Sequence, residues 1–183
     1  MRVRYASLML GLGFIFSLLT ILSLMLLTIA FLAILTYPIS VAFRSVGWSL
    51  LGRRVYARYL FTGIIIVLLS PLVYVGILFT DNLTALLGLG PGHILALALV
   101  AWASYSIVEL TSYFSLARYG IKSFYIAMIS VVGIIIVILN LPTATERIYD
   151  IFTRIYYAFY FLAISSLFAS IGSFRIKAVI SSK

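Results

Sequence analysis

Charged residues are scarce in this sequence, and acidic residues are scarcer still. Lys and Arg number 13 and Asp and Glu number 4 among 183 residues, so 9% of the chain is charged. An average soluble domain has about 25% charged residues. Because so few charges do not cover a globular surface in water, the composition argues against a soluble fold.

Cysteine is absent, and histidine occurs once, at His93. A chain without cysteine forms no disulfide, thiol nucleophile or iron–sulfur cluster. One histidine and four carboxylates are too few for a typical transition-metal site. The sequence also has no P-loop, no HExxH motif and no pair of carboxylates within an apolar run. We therefore expect no metal, no cofactor and no enzymatic activity.

Apolar residues make up 64% of the chain. They form runs near or above the roughly 20 residues that a helix needs to cross a bilayer. We predict an all-α integral membrane protein, a single domain over residues 1–183 that forms a bundle of about five transmembrane helices. The predicted spans are residues 6–36, 60–80, 93–116, 124–141 and 153–174.

Residues 41–58, VAFRSVGWSLLGRRVYAR, differ from the apolar runs because arginines are interspersed with apolar and small residues. This pattern is typical of a basic amphipathic segment that lies in the membrane interface. Four arginines are predicted to contact lipid headgroups: Arg44, Arg53, Arg54 and Arg58. Topological anchoring is favoured over specific binding of an anionic lipid or a partner. Nucleic acid is not an expected partner, because the cations of the chain cluster at the ends of apolar runs.

Five spans would place the two ends of the chain on opposite sides of the membrane. On that count the N-terminal side collects four of the 13 basic residues, Arg2, Arg4, Arg147 and Arg154, and the other side collects the remaining nine. The positive-inside rule then predicts an outer N-terminus and a cytoplasmic C-terminus in the cell membrane.

Glu109 is the one acidic residue within an apolar run. A carboxylate there is costly unless it pairs, takes up a proton or faces water. Residues three or four positions away share its helix face and form a polar stripe: Tyr105, Ser106, Ser112 and Tyr113. A structural ion pair with Arg54, Arg58 or Lys122 is the favoured interpretation. The alternative is proton or cation handling.

Small residues recur at helical spacing in the first and last spans. Gly13, Ser17 and Thr20 share one sector of the first helix, and a second set, at i, i+4 and i+8, consists of Ser165, Ala169 and Ser173. Such small-residue faces allow two helices to approach closely in a membrane. The partner helix belongs either to this chain or to another subunit.

The sequence LLGLGPGHI, residues 86–94, contains three glycines and a proline. It predicts a turn between two spans rather than a re-entrant pore loop. The preceding Asn82 belongs to an N-x-[ST] sequon, and its closeness to the membrane disfavours glycosylation.

The segment VELTSYFSLARYGIKSFYIAMISVVGIIIVIL, residues 108–139, resembles a portion of small multipass membrane proteins found in crenarchaeal genomes. The resemblance implies an archaeal membrane location and carries no functional residue. From the residues themselves we expect a non-enzymatic structural or accessory subunit, in contact with lipids and with other membrane subunits or further copies of itself. The alternative is a small transporter or channel component that uses Glu109.

Overall fold

The computed structural model describes residues 2–29, 31–52, 110–118, 120–139 and 148–181, and these ranges contain helices and no strand. A helical segment covers residues 110–117, and a short 3-10 helix covers Leu27–Ile29. The four long helices are α1 (Arg2–Met25), α2 (Leu32–Leu50), α3 (Ser123–Leu139) and α4 (Ile148–Ser181). The predicted all-α class is confirmed for the described residues.

The first apolar run forms two helices instead of one. Helix α1 ends at Met25 and α2 begins at Leu32, so the prediction of a single helix over residues 6–36 is wrong. The intervening residues 26–31, LLTIAF, contain no glycine or proline that would announce a turn. Pro38, which follows the predicted first span, lies inside α2.

Helix α2 folds back along α1 in an antiparallel pair. At one end the Thr20 hydroxyl bonds the Thr36 hydroxyl at 2.8 Å, and near the middle the Ser40 hydroxyl donates to the Gly13 carbonyl at 2.9 Å. Further along, Gly47 faces Leu10 so closely that a Cβ there would lie 3.0 Å from the Leu10 backbone nitrogen. The residues predicted to form an interfacial segment from position 41 therefore belong, as far as Leu50, to a helix packed on α1.

Helix α4 also packs antiparallel on α1. The Ser7 hydroxyl donates to the Ser173 carbonyl at 2.6 Å, and the Tyr156 hydroxyl donates to the carbonyl of Met25 at the opposite end of α1. Helix α3 packs in turn on α4, where the Ser165 hydroxyl donates to the Ala127 carbonyl at 3.2 Å. The long helices therefore follow the lateral order α2, α1, α4, α3.

The beginning of α1 and the end of α4 lie at the same end of this helix array, because the two helices are antiparallel. The count of five spans, which assumed one helix over residues 6–36, placed the two chain ends on opposite sides of the membrane, and the membrane sides themselves stay a prediction. Helix α3 also starts near this end, since Phe124 packs against Gly172 of α4. We call this the basic end, because five exposed cations lie in or beside these helix ends: Arg2, Arg4, Arg118, Lys122 and Arg175.

The described helices bury both apolar side chains and hydroxyl groups, and they expose large apolar side chains. Buried positions hold many hydroxyl groups, among them Ser7, Ser17, Thr20, Ser40, Ser123, Ser130, Ser165, Ser166, Ser170 and Ser173. Exposed positions on the long helices hold large apolar side chains, among them Leu8, Ile15, Leu22, Leu35, Ile129, Ile136, Ile164 and Ile171. Such an exterior is expected where hydrocarbon and not water surrounds the helices.

Among the described residues, two helical stretches are long and apolar enough to cross a membrane: α1 and the section Tyr156–Ile176 of α4. Helix α3, predicted at residues 124–141, is apolar but shorter. The predicted span 60–80, most of 93–116 and the turn at residues 86–94 lie outside the described residues, as does Asn82.

Candidate functional site

Arg44 is the one charged side chain buried in the described part of the bundle, with 1% of its surface exposed. Its guanidinium carbon lies 5.4 Å from the centroid of the Phe14 ring, in a cation–π contact. Its α2 backbone faces Gly13, where a Cβ would lie 2.5 Å from Arg44 Cγ and 2.9 Å from the Arg44 nitrogen. Glycine at position 13 therefore makes room for both the arginine stem and the α2 backbone.

Arg44 packs against Gly13, and Gly13 lies at the middle of α1. It lies 11 residues after Arg2 and 12 residues before Met25. At 1.5 Å per residue this is about 17 Å from either end of the helix. Helix α1 is one of the two described stretches that are long and apolar enough to cross a membrane, and a charged side chain at such depth in a membrane is costly unless it is paired or faces water.

An aromatic series connects the arginine to the rest of the bundle. The Phe14 ring lies 5.7 Å from the Tyr113 ring, and the Tyr113 ring lies 6.0 Å from the Phe124 ring. These three rings are buried and join α1, the segment 110–117 and α3. Arg44 thus lies over one end of a series of tilted rings that extends to the start of α3.

The buried face of α2 contains further polar groups beside Arg44. Ser45 and Trp48 lie three residues apart, so they share a helix face, and they are 8% and 0% exposed. In the described part of the chain, Ser45 Oγ and Trp48 Nε1 have no hydrogen-bond partner. By contrast, Ser40 on the same helix donates to the Gly13 carbonyl. Two donors beside a buried cation are therefore unsatisfied.

The burial of Arg44 corrects the prediction that it contacts lipid headgroups. The mixed pattern of residues 41–58 predicts a basic amphipathic segment that lies in the membrane interface. In the structure, Gly47 and Gly13 instead allow α2 to dock on α1, and this contact encloses Arg44. The signal for this packing is in the sequence, because Ser40, Arg44 and Gly47 lie on one face of α2. Arg53, Arg54 and Arg58 lie outside the described residues.

Only part of the predicted polar stripe around Glu109 is described. Ser112 and Tyr113 are buried in the segment 110–117, where Tyr113 contacts Phe14 and Phe124. Glu109, Tyr105 and Ser106 lie outside the described residues. The structure therefore brings the described end of the stripe to the ring beneath Arg44, and the role of Glu109 stays a prediction.

The predicted small-residue sector of α1 is divided between two neighbouring helices. Gly13 faces Arg44 of α2, and Thr20 bonds Thr36 of α2. Ser17 accepts a long hydrogen bond, 3.4 Å, from Ser166 of α4. This small-residue sector therefore contacts both α2 and α4, because α1 lies between these two helices.

The predicted small-residue set on α4 also has more than one partner. Ser165 donates to Ala127 of α3, and Ala169 is fully buried. Ser173 donates to the Ala169 carbonyl of its own helix at 2.8 Å, while its own carbonyl accepts the Ser7 hydroxyl. These partners of Ser165 and Ser173 belong to the same chain.

The chemistry available at this site is hydrogen-bond donation beside a positive charge. Within the described ranges no group of three His, Cys, Asp or Glu side chains could hold a metal ion. The Arg44 cation and the buried donor groups of Ser45 and Trp48 lie on the same helix. No protein-family model, curated protein or solved structure matches this chain.

Proposed function

We propose that this protein is a non-enzymatic helical membrane protein that acts as a structural or accessory subunit of a membrane complex. The observation that carries the proposal is the apolar exterior of the long helices, where large apolar side chains are exposed while hydroxyl groups are buried between helices. Hydrocarbon is the surroundings in which this arrangement is stable, because exposed isoleucine and leucine have no cost there.

The internal hydroxyl groups support a packing role. Ser7, Ser170 and Ser165 each donate to a backbone carbonyl of a neighbouring helix. Interhelical hydrogen bonds of this type hold membrane helices together. The described hydroxyl groups therefore mainly join helices, as expected of a scaffold, and the apolar exterior is left for lipids or further subunits.

We further propose that the basic end faces the cytoplasm, with the beginning of α1 and the end of α4 on that side. Five exposed cations lie at this end, whereas Arg154 belongs to the first two turns of α4 at the other end. The positive-inside rule favours the orientation that keeps the larger group of Lys and Arg in the cytoplasm. This replaces the outer N-terminus that the five-span count predicts.

Because the chain has no cysteine, single introduced cysteines report this orientation directly. We would place one at Tyr5 near the start of α1, one at Ser181 at the end of α4, and one at Ile29 in the turn between α1 and α2. A membrane-impermeant maleimide on intact cells should label only Ile29→Cys, and all three should react after permeabilisation. Labelling of Tyr5→Cys on intact cells would contradict the proposal.

The subunit role is tested by purification in a mild detergent followed by mass analysis of the intact particle. We expect a stoichiometric companion protein or a defined oligomer of this chain. A monomer without companions, recovered at the same mass from several mild detergents, would contradict the subunit role and leave the membrane orientation unaffected.

A second candidate function is transport or conduction with Glu109 as the membrane carboxylate. The observation that favours it is Arg44, an ionisable residue at mid-depth, in contact through Phe14 with the buried residue Tyr113 of the predicted stripe. Purified protein in liposomes would be tested for proton and monovalent-cation flux. Flux that Glu109→Gln abolishes would support transport over the accessory role, and absence of flux would leave the accessory role as the proposal.

A further inference from the structure

Cations of α1 and α4 are brought together at the basic end by the contact between these two helices. The Ser7 hydroxyl donates to the Ser173 carbonyl at 2.6 Å. Arg4 precedes that serine of α1 by three residues, and Arg175 follows that carbonyl of α4 by two residues; both arginines are exposed. Because the helices are antiparallel, the two arginines lie about 4.5 Å and about 3 Å beyond this hydrogen bond in the same direction. Arg2 lies further along α1 in that direction.

The start of α3 adds two more exposed cations to the basic end. Lys122 immediately precedes α3, whose Phe124 packs against Gly172 of α4. Arg118 lies four residues before Lys122, and its guanidinium carbon is 4.8 Å from the centroid of the exposed Phe114 ring. The charge of Arg118 therefore lies at the outer surface of the protein, over an aromatic ring.

The described residues place no acidic side chain at the basic end. Asp150 is the one acidic residue in the described ranges, and it belongs to the first turn of α4 at the opposite end, one turn before Arg154. Charges of the two signs therefore alternate at that end, whereas the basic end holds five exposed cations. Charge complementarity favours a partner with a negative surface.

Exposed aromatic and apolar side chains lie next to these cations. Tyr5 and Tyr125 belong to the first turns of α1 and α3, and each ring is about half exposed. Tyrosine is enriched at the depth of lipid headgroups. Leu8 and Ile129 are exposed about one turn deeper on the same two helices. Positive charge above an apolar exterior matches a phospholipid, which has a phosphate above acyl chains, better than it matches an acidic protein.

We propose that the basic end is a binding surface for anionic phospholipids, whose phosphate groups lie among five cations: Arg2, Arg4, Arg118, Lys122 and Arg175. The acyl chains then contact the exposed apolar faces of α1 and α3. The attraction is distributed over the surface, and each cation close to the headgroups strengthens it by about fivefold. This proposal rests on the membrane location proposed above and adds the chemical class of the lipid.

Spin-labelled lipids test this selectivity. The purified protein would be reconstituted in phosphatidylcholine bilayers with a trace of spin-labelled phosphatidylglycerol or of spin-labelled phosphatidylcholine. Electron paramagnetic resonance then measures the fraction of each probe that the protein immobilises. At low salt we expect about fivefold stronger association with phosphatidylglycerol, the gain for one cation near the headgroups. The preference should fall at about 1 M salt, where the Debye length is about 3 Å.

Two arginines of α4 give a matched pair of substitutions at opposite ends of one helix. Arg175→Gln should lower the preference for phosphatidylglycerol. Arg154→Gln removes the same charge at the other end, beside Asp150, and should leave the preference unchanged. Arg175→Gln combined with Arg2→Gln and Arg4→Gln should lower it to about half or less. Arg175→Lys should keep the preference, because the attraction depends on charge, and circular dichroism checks that each variant is folded.

The outcomes separate this proposal from the membrane location. Equal association of the two probes would overturn the lipid preference and leave the membrane location intact, whereas the absence of any immobilised lipid would contradict both. A preference that survives the triple substitution would place the lipid-binding surface elsewhere and overturn the assignment to the basic end. Equal association of the probes, together with a companion protein rich in Asp and Glu that Arg175→Gln releases, would assign the basic end to an acidic protein instead.

Discussion

The two interfaces of α1 are built in different ways. Toward α2, glycines at positions 13 and 47 bring backbones and a buried arginine into direct contact. Toward α4, serine hydroxyls reach across to backbone carbonyls. The first interface brings backbones together and adds hydrogen bonds from Ser40 and Thr20, whereas in the second the close glycine contact is with the side chain of Phe174. Because apolar burial gives little driving force between helices in lipid, close contact and hydrogen bonds are the two remaining means of attachment.

The largest expected loss of stability comes from adding one methyl group at Gly13, in the interface between α1 and α2. Gly13→Ala would place its Cβ 2.9 Å from the backbone nitrogen of Arg44, which cannot move without shifting α2. We expect the free energy of unfolding to fall by about 3 kcal/mol, as for an overpacked core. Denaturant titration of the purified protein in detergent, followed by circular dichroism, measures this loss.

Gly11→Ala is the matched substitution at the α4 interface. There the new methyl group meets the ring of Phe174, a half-exposed side chain that can turn away. We expect a loss below about 1 kcal/mol. Equal losses for the two variants would contradict the distinction between a backbone contact and a side-chain contact.

The cation–π contact is the next largest effect. A double-mutant cycle of Arg44→Leu and Phe14→Leu should give a coupling energy of about 2 kcal/mol, because the guanidinium lies over the ring in a desolvated position. The measurement is the free energy of unfolding of the two single variants and the double variant. A coupling energy near zero would show that Phe14 only fills space beneath the arginine.

The serine contacts toward α4 should each be weaker. Ser7→Ala removes a hydrogen bond to the Ser173 carbonyl and should lower the free energy of unfolding by about 0.6 kcal/mol, the average for such bonds in membranes. The control is Ser173→Ala, whose hydroxyl bonds only the Ala169 carbonyl of its own helix. A larger loss for Ser173→Ala than for Ser7→Ala would show that the bond across the interface is not what stabilises the pair.

The smallest effect should be found outside both interfaces. Ile129 is 67% exposed on α3, so in lipid its side chain exchanges protein contacts for acyl-chain contacts at little cost. Ile129→Ala should change the free energy of unfolding by less than about 0.5 kcal/mol in bilayers or detergent.

The comparison is Ile134 on the same helix, which is fully buried. Ile134→Ala should lower the free energy of unfolding by about 2 kcal/mol or more, because it leaves a cavity. Equal effects at the two positions would argue that the exposed face of α3 is packed against another subunit.

The location of Arg44 could not be predicted from the sequence. The local sequence pattern around Arg44 fits two opposite locations, the lipid headgroup region and the interior of the bundle. The choice depends on where α2 docks, and that depends on Gly13, 31 residues away. Trp48 lies four residues after Arg44, so the two residues share one face of a helix, but this spacing does not specify whether that face is buried.

The sequence by itself determined the helical class, the apolar exterior and the approximate bounds of α3, because these follow from composition and from the length of apolar runs. The tertiary structure decided the reversal at residues 26–31, the burial of Arg44 and the shared end of α1 and α4. No glycine or proline marks that reversal; it is stabilised by contacts between residues far apart in the chain, such as Ser40 with Gly13 and Thr20 with Thr36. Periodicity within one helix does not specify which helix it will pack against, and the orientation of the chain depends on that choice.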